Sequence, residues 1–160
     1  MKKNVISTHS TEGSILPHVR IKLLNEDAQV PQKAYIDDAA YDLFACTDAV
    51  VKYGTTADIA TGISIEMPRG YYATVEARSG MGKAGLSVHR GIIDTGYRGE
   101  ISVFIHNTST SSAVKQTYEI KKGDRIAQLI FHSSEPVIFD EVEELSKSER
   151  DTKGHGSTGR

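Results

Sequence analysis

The stretch Gly91-Ile-Ile-Asp-Thr-Gly-Tyr-Arg-Gly99 sets one carboxylate, Asp94, among glycine, aliphatic and turn-forming residues. Apolar residues leading into an Asp-x-Gly turn predict a β-hairpin, because glycine takes the positive φ that such turns need. A hairpin with so little side-chain bulk lets backbone N–H and C=O groups approach a flat ligand closely. Asp94 then sits at its tip, with Tyr97 a few residues on as a platform. Taken alone, the stretch also reads as an ordinary hairpin with a solvated aspartate.

A second chemical cluster is Arg78-Ser79-Gly80-Met81-Gly82. A guanidinium, a hydroxyl and glycine-exposed amides in sequence suit an anion such as phosphate, although a glycine-rich turn with a surface arginine has the same composition. It is not a nucleophile elbow, because Ala77 stands where the first glycine belongs. Asp42 sits among apolar residues in Ala39-Ala-Tyr-Asp-Leu43. Burying a carboxylate unpaired is costly, so it either ends a strand by accepting backbone hydrogen bonds or anchors a hydrated cation. Gln128 interrupts the apolar run Ile126–Phe131, and a buried amide there needs partners in the protein or in a ligand.

The tail Arg150-Asp-Thr-Lys-Gly-His-Gly-Ser-Thr-Gly-Arg160 has two readings. Its composition is that of a disordered end. It is also that of a mobile phosphate clamp: Gly154, Gly156 and Gly159 free the amides, Ser157 and Thr158 add hydroxyl donors, and Arg150 meets a terminal phosphate. The Walker order of a P-loop is missing.

The elements that must position these residues are short strands. Val19, Ile21 and Leu23 alternate with charged residues and predict a half-buried strand, as do Ile63, Ile65 and Met67, then Ile101, Val103 and Ile105. Further strands are expected over Tyr71–Ala77, Ile126–Phe131 and Val137–Val142, with a turn at Lys121–Arg125 and a Ser/Thr-rich loop over 107–117. About ten strands with hardly any helical periodicity predict an all-β sandwich or jelly roll. Residues 1–17 read as a flexible N-terminal arm, 18–143 as one domain, and 144–160 as a flexible C-terminal arm.

With 160 residues, 38% of them hydrophobic, 25% charged and a net charge of −2, the chain fits one soluble domain. That charge balance argues against general nucleic-acid or membrane-surface binding. A single cysteine, Cys46, in an apolar setting predicts a buried inert thiol and a reducing, cytoplasmic location. No secretory leader or bilayer-length apolar run is expected. Six histidines show no paired metal spacing, no Ser/His/Asp or Cys/His set stands out, and basic residues do not interleave with aromatics.

Five stretches, AAYDLFA, PRGYYATVEARSGMGKAGL, GIIDTGYRGEISV, KKGDRIAQLIF and RDTKGHGSTGR, appear together in an order that resembles the homotrimeric dUTPase family. The resemblance covers about residues 39–160 and implies a jelly-roll-like β fold of the β-clip kind with a mobile C-terminal arm. It implies that Asp94 activates the water attacking the α-phosphorus of dUTP, giving dUMP and pyrophosphate. The backbone of Gly91, Ile92, Ile93 and Asp94 would read the uracil edge, and Tyr97 would pack against the deoxyribose. Arg78, Ser79, Gly80 and Gln128 would hold phosphates, and Asp42 would hold Mg²⁺ through water.

In the family the tail closes over a site built by the other two subunits. Arg150 would then meet the γ-phosphate, Gly156, Ser157 and Thr158 would line the clamp, and His155 would stack on the uracil. The family usually has Phe at that place, so closure is expected to be weaker and pH-sensitive, since His titrates near neutrality. Two rivals share these features. A dCTP deaminase needs a Glu base where Phe104 falls, and a nucleotide-binding regulatory trimer would act on a protein partner through the N-terminal arm or the 107–117 loop.

Overall fold

Alternating apolar and polar residues settle as strands where their apolar face meets a second layer, and most of this chain has one. The computed structural model describes residues 16–108, 117–149 and 151–152. Among these are β1 (Arg20–Leu23), β2 (Tyr41–Phe44), β3 (Ala49–Lys52), β4 (Thr56–Ala60), β5 (Ile63–Glu66) and β6 (Tyr71–Glu76). A one-turn helix, α1 (Ser79–Lys83), precedes β7 (Leu86–Val88), β8 (Gly91–Ile93), β9 (Ser102–Asn107), β10 (Thr117–Ile120) and β11 (Arg125–Ser133).

One sheet runs β2-β11-β6-β8 and a second β4-β9-β7, with β1-β5 and β10-β3 as separate pairs. Every named strand pair is antiparallel. The fold is therefore all-β and jelly-roll-like. Its core is drawn from both sheets and from β5: Leu43, Ile59, Ile63, Val103, Ile105, Ile126 and Leu129 are all buried. Burial of such side chains is worth roughly 1.5–3 kcal/mol each. On β9 the alternation is clean, with Val103 and Ile105 inward and Phe104 outward. Cys46 is buried, as expected, and its Sγ accepts from Asn25 Nδ2 at 3.7 Å.

Three expectations fail. β1 was to be half-buried, yet all four of its residues are exposed, Ile21 to 37% and Leu23 to 46%, because its one strand partner, β5, covers its edge and not its faces. Val137–Val142 forms no strand; Ile138 and Phe139 are 90% and 93% exposed. A strand exists only with a ladder partner, and no described strand of this chain supplies one there. Helix α1 was unexpected, since Gly80 and Gly82 are poor helix formers, and it lasts a single turn. Among the described residues no helix is long and apolar enough to cross a membrane.

The turn that launches β11 is well anchored. Gly123 takes φ +88°, which only glycine adopts freely, and its N–H donates to Ala45 O at 2.8 Å. The Lys122 N–H donates to Asp48 Oδ1, and Lys122 Nζ meets Asp27 Oδ1, each at 2.8 Å. That backbone hydrogen bond, aided by the lysine charges, holds the Asp48 carboxyl below its ordinary 3.8. A group whose pKa is depressed on folding adds stability above its ordinary value and loses it as pH falls through the folded value. Asp48→Asn should therefore lower the thermal midpoint slightly near neutrality, and by less at a pH well below the ordinary carboxylate value. Melts at both pH values check this, and an equal drop at both would refute it.

Candidate active site

The Gly91–Gly99 stretch does not form the simple hairpin that its sequence suggests. Its base is closed: β7 pairs with β9 through Leu86↔Asn107 and Val88↔Ile105, and His89 N–H donates to Phe104 O at 2.9 Å. Two residues later the outgoing arm leaves its partner. β8 pairs instead with β6 of the other sheet, in the register Val75↔Gly91, Thr74↔Ile92, Ala73↔Ile93. The ladder to β6 draws one arm away from the other, and the hairpin opens toward its tip.

β8 is the edge strand of its sheet, so one side of its backbone has no strand against it. A cleft of about 230 Å³ occupies the gap, lined by Val75, His89, Gly91, Ile92, Ile93, Asp94, Tyr97, Glu100, Ile101, Ser102 and Phe104. It is smaller than the roughly 300 Å³ of a drug-sized pocket, which suits a flat ring and part of its substituent. A free strand edge offers that ring donors and acceptors in fixed order.

At the tip Tyr97 N–H donates to Asp94 O at 3.0 Å and closes a turn. Gly96 is not among the positive-φ glycines, so this turn does not use the conformation expected of it. It is held from outside instead. Thr95 Oγ1 donates to Tyr71 O, while Arg98 Nη1 donates to Thr95 O at 2.7 Å and to Tyr97 O at 2.8 Å. Asp94 is exposed, and no described residue hydrogen-bonds or ion-pairs with its carboxylate. A carboxylate on a pinned turn with open lone pairs can take a proton from water.

The second cluster lies where β2, β11 and α1 meet. Asp42, Gln128 and Glu76 stand in one row across β2, β11 and β6. Asp42 Oδ1 accepts from Arg78 Nε at 2.8 Å, and its Oδ2 accepts from Arg125 Nη1 at 3.3 Å. Arg78 Nη1 also donates to Arg125 O at 3.3 Å. Asp42 is thus neither a plain strand end nor a bare cation anchor: its carboxylate orients two arginines. Of Arg78's five N–H donors these two bonds use two, leaving the rest for an anion.

Gln128 is half-buried rather than enclosed, and its Nε2 donates to Ala77 O at 2.8 Å. Its carbonyl oxygen and second amide N–H are left to offer a ligand. Ser79 and Gly80 are exposed at the start of α1, and the space beside Gly80 is open. Arg125, His89 and Glu100 were missed by sequence reasoning, and Phe104, weighed there only against deamination, proves to line the cleft. Arg125 alone had a signal, a guanidinium three residues before Gln128 on the same strand. Arg150, His155, Gly156, Ser157 and Thr158 lie outside the described residues, as do 1–15 and 109–116.

A divalent cation such as Mg²⁺ needs oxygen donors, and Asp42 is the carboxylate that this cluster offers. Among the described residues no group of three or more His, Cys, Asp or Glu could hold a metal. Asp42 has each oxygen engaged by a guanidinium, yet a carboxylate accepts about four hydrogen bonds. It therefore fits as an acceptor for the water shell of a phosphate-bound ion, not as part of an all-protein cage.

The two clusters are well apart within one chain. Asp94 stands level with Tyr72 at one end of β6, and Arg78 follows its other end. Six residues of extended chain separate those levels, about 20 Å at strand rise. The dUTPase family model matches residues 26–159. The chain belongs to the dUTPase family. Family members with curated names are similar along most of their length. The deoxyuridine 5'-triphosphate nucleotidohydrolase of Clostridium tetani is 41% identical over 145 residues, 89% of this chain and 97% of that one. The Thermobifida fusca enzyme of the same name is 44% identical over 88% of this chain and 78% of its own.

Solved dUTPases share the fold of this family member. The Staphylococcus bacteriophage 80alpha dUTPase with dUPNHPP has a TM-score of 0.84 at 30% identity, covering 89% of this chain and 99% of that one. It is described among phage dUTPases that control transfer of virulence genes. A variant of the dUTPase from phage phi11 of S. aureus, solved for its coordination of a structural Mg(II) ion, has a TM-score of 0.73 at 29% identity. It covers 79% of this chain and 97% of that one.

Proposed function

We propose that this chain hydrolyses dUTP to dUMP and pyrophosphate, with Asp94 as the base that activates the attacking water. The observation that carries the reading is Asp94's unpartnered carboxylate on a pinned turn beside a cleft walled by strand edge. The backbone of Gly91, Ile92, Ile93 and Asp94 reads uracil, whose donors and acceptors match a fixed edge where cytosine's do not. Mispaired buried polar groups discriminate more strongly than one methyl in a loose pocket. Tyr97 takes the deoxyribose and leaves no room for a 2′-hydroxyl. Arg78, Ser79, Gly80 and Gln128 grip phosphates, with Arg78 aimed by Asp42. Mg²⁺ bound to the phosphates would neutralise charge on the transferring group, and Asp42 would accept from its water shell. The dUMP formed would feed dTTP synthesis while the dUTP level is held down.

The roughly 20 Å between Asp94 and Arg78 supports a site shared between copies, a homotrimer in which one chain supplies the base cleft and another the phosphate cluster. The exposed run Val137, Ile138 and Phe139 fits burial against such neighbours. Residues 18–143 form the catalytic unit, and the arm 144–160 brings Arg150, His155, Gly156, Ser157 and Thr158 over a neighbour's site.

Deamination of dCTP is disfavoured. Phe104 lines the cleft where that chemistry needs a carboxylate, and the Glu100 carboxylate is engaged by Gly62 N–H at 2.7 Å. A regulatory role toward a protein partner rests only on likeness to the phage enzymes. One assay tests the proposal: pyrophosphate release from dUTP, dCTP, dTTP and UTP with Mg²⁺. Selective turnover of dUTP is expected, falling by at least about tenfold when the chain is cut before Arg150. His155→Phe should flatten the pH dependence of the Michaelis constant across the neutral range. Ammonia release from dCTP would overturn the assignment.

A further inference from the structure

We infer that Gly99 and the Glu100 carbonyl form the support that sets the tilt of Tyr97, and through it the choice between 2′-deoxy and 2′-hydroxy nucleotides. The inference rests on the reading that Tyr97 faces the sugar, and it assigns the selectivity to residues that need not touch the substrate. Tyr97 folds back along its own chain, and its hydroxyl donates to Glu100 O at 3.0 Å. The ring end lies where a side chain on Gly99 would be. An ideal Cβ there would stand 2.5 Å from Tyr97 Cζ and 3.0 Å from Cε2, and closer still to the hydroxyl. Real Cβ atoms do not make such contacts, so any larger residue must displace the phenol.

The carbonyl that receives the phenol is itself fixed on both sides. Glu100 Oε1 accepts from Gly62 N–H at 2.7 Å, and Ile101 N–H donates to Ile63 O at 2.9 Å. Gly62 is tied in turn, because its carbonyl accepts from Leu24 N–H at 2.8 Å. The ring therefore rests on a rigid floor while it is itself 45% exposed. A methyl at Gly99 would be relieved most cheaply by swinging Tyr97 about its χ1, since one hydrogen bond is all that moves and no core residue is disturbed. The fold should survive and the sugar contact should not.

The test compares kcat/KM for dUTP and UTP in the full-length parent, Gly99→Ala, Tyr97→Phe and Tyr97→Ala. The dUTP-to-UTP ratio should fall by at least about tenfold in Gly99→Ala, approaching Tyr97→Ala, with an unchanged melting curve. Tyr97→Phe, which keeps the ring and removes its tether, should fall between these and the parent. A parental ratio in folded Gly99→Ala overturns the inference; should that variant not fold, a parental ratio in Tyr97→Phe does so. A parent that does not prefer dUTP overturns the sugar role of Tyr97 itself, so the two failures are told apart.

Discussion

Asp94→Asn should lower kcat for dUTP by about 10²–10⁴-fold and leave binding of a non-hydrolysable analogue within a few-fold of the parent. The substitution is isosteric, and the carboxylate it replaces is exposed and free of partners in the described chain. Folding stability should therefore move by no more than about 0.5 kcal/mol, as for other surface changes. The turn around it is tied by backbone atoms and by Thr95 and Arg98, not by the Asp94 side chain. The carboxamide keeps the shape but loses the charge and the basic lone pair, with an NH2 donor in their place. Loss of turnover without loss of analogue affinity is the signature of a group needed in the transition state. Single-turnover pyrophosphate release beside calorimetric analogue binding separates the two. A variant retaining more than a tenth of the parental kcat would remove Asp94 from the base role.

How far the sequence led can be seen in two residues of one strand. Gln128 was singled out because an amide in an apolar run must bond somewhere, and it does, to Ala77 O. Arg125 passed as part of a turn, because pairing with Asp42 depends on β2 and β11 lying side by side, which no local pattern encodes. The hairpin shows the same limit. Its residue types announce two arms and a turn, but which sheet each arm joins is a matter of long-range pairing, so the opening between β8 and β9 was not legible. Val137–Val142 has strand composition and no strand, since the pattern states what a segment could pair with and not whether a partner is present in the same chain. Residues whose role follows from alternation, such as Val103 and Ile105, were legible because two-residue periodicity is local.

Asp42→Asn should be the second most damaging change, and unlike Asp94→Asn it should act on both stability and substrate use. The Asp42 side chain is 14% exposed and Arg78's 26%, whereas Arg125's is 52%. The cluster thus lies between an exposed pair, worth under about 1 kcal/mol, and a buried one, whose breaking takes about 3–5 kcal/mol. A loss of about 1–3 kcal/mol is expected, seen as a melting point several degrees lower. An amide can still accept one hydrogen bond but no longer offsets two guanidinium charges. Arg78 loses the anchor on its Nε, and its remaining N–H groups are no longer aimed together. The Michaelis constant for dUTP should rise by about tenfold or more, and the Mg²⁺ concentration for half-maximal activity should rise with it. Arg125→Gln is informative beside it: the guanidinium removed is the more exposed of the two, and Arg78 keeps both of its bonds, one of them to a backbone carbonyl that the substitution leaves in place. That variant should lose less activity and little stability. If Arg125→Gln proves the more harmful of the two, the cluster is organised around Arg125 and not around the carboxylate.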